Sequence, residues 1–159
     1  MIIQCDTMKN YVEILRRICS LLREETEGLT EKEASRKPAP DKWCIKEIVW
    51  HLADGEEEVF IIRLKRILKE SRPFLYLHDQ DKAAAERNYR EKDLTKGIEK
   101  FCTQRQKSLE IIQSATPEDW QRMGSHETLG VITFEDIVKK MVEHDAKHLE
   151  QIRKLREKG

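Results

Sequence analysis

The chain is poor in the residues that break or staple a fold. It has 6 glycines and 4 prolines among 159 residues, too few for a loop-rich or collagen-like architecture. Runs of β-branched residues with alternating polarity are nearly absent, which argues against a sheet as the core. Net charge is absent too: 30 basic residues balance 30 acidic ones, so no overall field draws the chain to nucleic acid or to an anionic membrane. No apolar run is long enough to cross a bilayer, and no basic start leads into an apolar stretch as an export signal does. Cys5, Cys19, Cys44 and Cys102 are scattered, without a Cys-x-x-Cys pair. A chain of this size folds without staples, so all four are expected as reduced thiols in a cytoplasmic protein.

What is present is charge and amphipathic periodicity. Charged residues make up 38% and hydrophobic residues another 38%, a balance that suits helices with solvated outer faces, and the length suits one domain over residues 1–159. Met8, Tyr11, Val12, Leu15, Ile18, Cys19 and Leu22 form the stripe of a first long helix, with Gly28 soon after it. Thr30 and Glu33 form a capping box for a short turn that Lys37-Pro38-Ala39-Pro40 stops. A second long helix is expected from about Trp43 to Lys69, with Ile45, Ile48, Val49, Leu52, Val59 and Phe60 inward. Residues 71–92 lack a sustained stripe and read as a long, partly helical connection. Asp93 caps a third helix with Leu94, Ile98, Phe101, Leu109 and Ile112 inward, and Thr116-Pro117-Glu118-Asp119 starts a short turn. Residues 121–132 read as a small hairpin or an irregular loop. Thr133 and Asp136 cap a fourth helix, buried through Phe134, Ile137, Val138, Met141, Leu149 and Ile152. Four long amphipathic helices in one chain predict an all-α four-helix bundle.

The chemistry concentrates in Glu143-His144-Asp145-Ala146-Lys147-His148. His144 and His148, four residues apart, project from one helix face, a spacing that suits two ligands of a single metal. A metal that does chemistry wants a third protein ligand and an open position, and His51 in the second helix could supply the ligand if the two helices pack together. Asp145 falls near the middle of the apolar arc, where an unpaired carboxylate is costly. Its partner is either the ring N–H of a metal-binding histidine, or the backbone or the Trp43 indole. Glu56 and Arg63 both point inward on the second helix, to pair with each other or to line a cavity beside the site. His78 and His126 fall in expected loops, with His126 either at the pocket mouth or in solvent.

Lys37-Pro38-Ala39-Pro40-Asp41-Lys42-Trp43, then Ile45-Lys46-Glu47-Ile48 and His51-Leu52, then His144-Asp145-x-x-His148-x-x-Gln151-Ile152, resemble the DinB-like family over nearly the whole chain. The departure is Cys44, where a serine or threonine usually follows the tryptophan; a thiol is a poor hydroxyl cap. The resemblance implies an up-down-down-up bundle with a long connection between helices two and three. It also implies a homodimer, and one divalent metal, zinc or nickel, on His51, His144 and His148. Known members include transferases that use a low-molecular-weight thiol, so the expected function is a metal-dependent thiol transferase, or a related hydrolase, acting on a small-molecule substrate. The alternatives are a non-catalytic, stress-related metal- or ligand-binding dimer, and a structural dimerisation module with a vestigial site.

Overall fold

The structure is a computed structural model that describes residues 2–157, with side chains from residue 7 onward; Cys5 lies outside the described side chains. Helix α1 runs Ile2–Thr26 and ends at Gly28, whose φ of 76° takes the left-handed conformation that glycine adopts freely. The one-turn helix α2, Glu31–Ala34, has the expected capping box: Glu33 N–H donates to Thr30 Oγ1 at 3.2 Å, and Thr30 N–H donates to Glu33 at 2.8 Å. The second long helix is α3, Ile45–Gly55, continued by a π-helical turn at Glu56–Phe60 and by α4, Ile61–Lys69. Its N-cap is Cys44, and the Glu47 carboxylate accepts the Cys44 N–H at 2.8 Å, so part of a capping box survives without the hydroxyl.

Residues 70–93 contain strand β1, Phe74–Leu75, the short helix α5, Gln80–Glu86, and a 3₁₀ turn at Tyr89–Glu91. Buried Asp54 pins this connection to α3. It accepts from Tyr89 Oη at 2.7 Å, Arg87 Nη1 at 2.5 Å and Lys100 Nζ at 2.7 Å. Helix α6, Leu94–Ser114, starts where Lys96 N–H donates to the Asp93 side chain at 2.7 Å. Strands β2, Met123–His126, and β3, Gly130–Thr133, form the antiparallel hairpin, with β1 added parallel to β2. Gly124 permits that pairing, because a Cβ there would lie 2.9 Å from the Pro73 carbonyl oxygen. Helix α7, Phe134–Glu157, is capped as expected, Thr133 N–H donating to Asp136 at 2.8 Å and Asp136 N–H to Thr133 at 3.1 Å.

The apolar residues of the long helices form two buried clusters stacked along the bundle. One joins Leu15, Leu64, Ile67, Leu109, Ile112, Ile137 and Met141; the other joins Ile18, Leu22, Ile48, Leu52, Phe101, Leu149 and Ile152. The first cluster takes the beginnings of α1 and α7 but the ends of α4 and α6, so the order is up-down-down-up and residues 70–93 must return the full length of the bundle. The small sheet packs on the first cluster through Leu75 and Ile132. Cys19 of α1 and Cys102 of α6, scattered in sequence, are free thiols, and the neighbouring Cys102 together with burial pushes the Cys19 thiol up. Among the described residues no helix is long and apolar enough to cross a membrane.

Candidate metal centre

Between the two apolar clusters lies a buried polar layer at the level of the π turn. Arg105 of α6 is its centre and is 1% exposed. Its Nε and Nη2 donate to the two Glu56 oxygens at 2.8 Å each, and its Nη1 donates to Asp145 Oδ2 at 2.6 Å. Burial works against each charge, yet the two carboxylates hold the guanidinium well above its usual pKa, and Arg105 and His144 hold Asp145 below the usual carboxylate range. One cation against two anions leaves a net negative charge in a dry layer, which calls for another positive charge close by.

The histidines stand beside it. His51 of α3 and His148 of α7 are buried and His144 is half-buried; each offers a ring nitrogen, and these lie within 4.8 Å of one another. His51 Nε2 and His144 Nε2 are 2.9 Å apart, so they share either a proton or a cation. His148 Nδ1 lies 3.1 Å from Gln151 Oε1; an N–H on Nδ1 donated there frees Nε2 as a lone pair. His144 Nδ1 and Asp145 Oδ1 are both buried, lack a hydrogen bond and lie 3.7 Å apart, poised to meet as N–H and acceptor. Trp43 covers the cluster, its ring 4.9 Å from that of His51 and 6.4 Å from that of His148. Burial, reinforced by His144, pushes His51 down to about 2 and His148 to about 4, so both rings stay neutral and keep a lone pair for a metal.

A cavity of about 300 Å³ opens at the cluster, lined by His51, His144, Phe60, Arg63, His78 and His126 among others. His126 is buried at the end of β2 rather than in solvent. Arg63 lines the wall and donates Nη2 to the Tyr76 carbonyl at 2.7 Å.

Two expected partnerships are corrected. Asp145 pairs with Arg105, not with backbone or the Trp43 indole. Glu56 pairs with Arg105 rather than Arg63 and does not line the cavity, because the π turn between them inserts a residue and rotates Arg63 by about 100° relative to an unbroken α-helix. Arg105 is not among the site residues the sequence points to, and Gln151 enters there only as part of the last-helix motif, without its role beside His148, although each left a signal. Arg105 fills the gap between Phe101 and Leu109 in the apolar stripe of α6, and Gln151 stands one turn beyond His148. A second group, Asp54, Glu57 and Glu58, also converges within 4.8 Å, but Arg87 and Lys100 pair with its oxygens.

A measurable consequence concerns pH. In the metal-free protein His51 and His148 bind protons less readily folded than unfolded, so their contribution to stability is present above the ordinary histidine value of 6.5 and is lost as pH falls toward about 4 and below. Urea midpoints should therefore drop between pH 7.5 and pH 5, reflecting a loss of unfolding free energy of roughly 1–2 kcal/mol per histidine. Equal midpoints across that window would mean that the rings are not buried neutral.

Fold and site together define a class: up-down-down-up bundles with a histidine cluster in the middle layer and a cavity beside it. The chain belongs to the DinB superfamily, whose profile matches residues 14–152. Among solved structures it is similar to YfiT from Bacillus subtilis, described as a probable metal-dependent hydrolase with an unusual four-helix bundle topology. The TM-score is 0.89 at 19% identity, over 96% of this chain and 87% of that one. No curated protein matches the sequence significantly.

Proposed function

We propose that the chain is a metal-dependent enzyme in which His51, His144 and His148 hold one divalent ion, zinc or nickel, beside a cavity for a small-molecule substrate. The observation that carries this is the pairing of three converging imidazoles with a buried layer of net negative charge, whose free Asp145 oxygen faces the free Nδ1 of His144. A neutral donor set backed by an uncompensated carboxylate fits a divalent cation. The chemistry a bound ion supplies is a lowered pKa, by charge, for a thiol or water beside it. The protein's own residues do the rest. Asp145 orients His144, Gln151 orients His148, and the Trp43 ring shields the cluster from water.

No carboxylate lines the cavity among the described residues. That favours a nucleophile generated by charge alone, as a low-molecular-weight thiol is, over one that needs a carboxylate base. The reading is a thiol transferase, with hydrolysis, the activity named for YfiT, as the second form. A cytoplasmic homodimer belongs to the same reading. The test is metal analysis of the purified protein, then cobalt substitution and titration with cysteine and 2-mercaptoethanol. A thiol-dependent change in the cobalt spectrum supports transfer. Ester hydrolysis by the loaded protein without such a change supports the hydrolase. Neither, with one metal per chain, leaves a metal-binding module.

A further inference from the structure

The cavity wall has a charge bias. The chain holds 30 Asp and Glu, yet the residues around the opening include Arg63, His78 and His126 and no acid among those described. Carboxylates flanking the wall in sequence are engaged elsewhere: Glu58 pairs with Arg87 at 2.8 Å, and Glu127 accepts the Leu77 N–H at 2.8 Å, while Asp145 lies behind His144 and pairs with Arg105. The cations of the buried and half-buried polar clusters nearby, Arg87, Lys100 and Arg105, each meet a carboxylate. Arg63 meets only the Tyr76 carbonyl among the described residues, which leaves its charge without a counter-ion and most of its N–H donors free. Burial pushes the guanidinium down from its usual value, the sign of a cation desolvated without compensation. Beside it His126 accepts the Thr128 N–H on Nδ1 at 3.2 Å, so a neutral ring carries its proton on Nε2 and is a second donor in the wall. Leu77 and Leu129 complete an apolar rim, and about 300 Å³ admits only a small molecule.

We infer that this cavity takes a small organic carboxylate, its anionic end paired with Arg63 and its apolar body against Phe60, Leu77 and Leu129. This rests on the reading above in one respect, that the cavity beside the histidines is the substrate site. It makes Arg63 a specificity-determining residue: the charge is read at the wall, while the reacting end faces the histidine cluster.

Calorimetric titration with hexanoate and with its neutral analogue hexanamide tests it, on metal-loaded and on metal-free protein, since a metal can itself prefer an anion. The metal-free wild type should bind hexanoate at least about tenfold tighter than hexanamide. Arg63→Gln should bring the two within about twofold, and Arg63→Lys should retain most of the preference. No preference in the wild type, or the same preference in Arg63→Gln, overturns the inference. Should Arg63→Gln unfold for want of its bond to Tyr76, salt dependence of hexanoate binding to the wild type decides: loss of affinity with added salt supports charge pairing, and its absence overturns it. One metal per chain without an Arg63-dependent preference sinks the inference alone. The preference without any metal binding keeps the anion site and sinks the metal reading alone.

Discussion

Arg105→Met should cost about 3–5 kcal/mol of folding stability, among the largest single effects available in this chain. The substitution fills the space but leaves Glu56 and Asp145, each 1% exposed, as anions with no cation between them. Urea denaturation measures the loss. The triple variant Arg105→Met, Glu56→Leu, Asp145→Leu should recover most of it, because an apolar layer avoids the desolvation that the charges incur. A single-variant cost under about 1 kcal/mol would show that water reaches the layer. The triple variant should also bind metal more weakly than the wild type while folding well, since the carboxylate facing His144 is gone. Stability and site would thereby be separated.

His51→Ala should lower metal affinity by at least about a hundredfold, more than the 10–100-fold typical of losing a group that merely orients a ligand. His144 and His148 remain one turn apart on α7, but two imidazoles from one helix do not close a coordination shell. Asp145→Asn should fall in the smaller range and keep the metal stoichiometry. Competition with a chelating dye reads both. Wild-type affinity in His51→Ala would remove α3 from the site and leave the helix α7 pair in need of another partner.

The bundle was legible because its long helices are punctuated by local chemistry. Thr30 with Glu33, Asp93, and Thr133 with Asp136 each mark a helix start by side-chain bonds that span three residues, and such bonds depend little on what packs around them. The histidines were legible for the same reason on α7, while His51 needed the packing of two helices that only tertiary structure supplies. The polar layer was not legible as a network. Glu56, Arg105 and Asp145 come from three helices, and a wheel drawn across residues 56–63 assumes an α register that the π turn breaks. The 71–92 connection was opaque because its anchors are isolated: Tyr89 and Arg87 on Asp54, and a two-residue strand that pairs with a distant hairpin and reaches the core through Leu75, with no repeating stripe to mark them.

The returning connection and the last helix together set the order in which the molecule can be made. His51 and His144 stand 93 positions apart in the chain, and α1 packs on α7, its partner from the opposite end. While the ribosome is still adding residues before α7, the emerging segment carries one histidine of the three and an apolar face waiting for its cover. Contacts of such long span are closed late and slowly. The full cluster therefore exists only in the finished fold, and an ion that needs all three rings binds the native chain and not its precursors. Such binding shifts the equilibrium toward the native state by mass action, so metal supply would act on the abundance of this protein as well as on its chemistry.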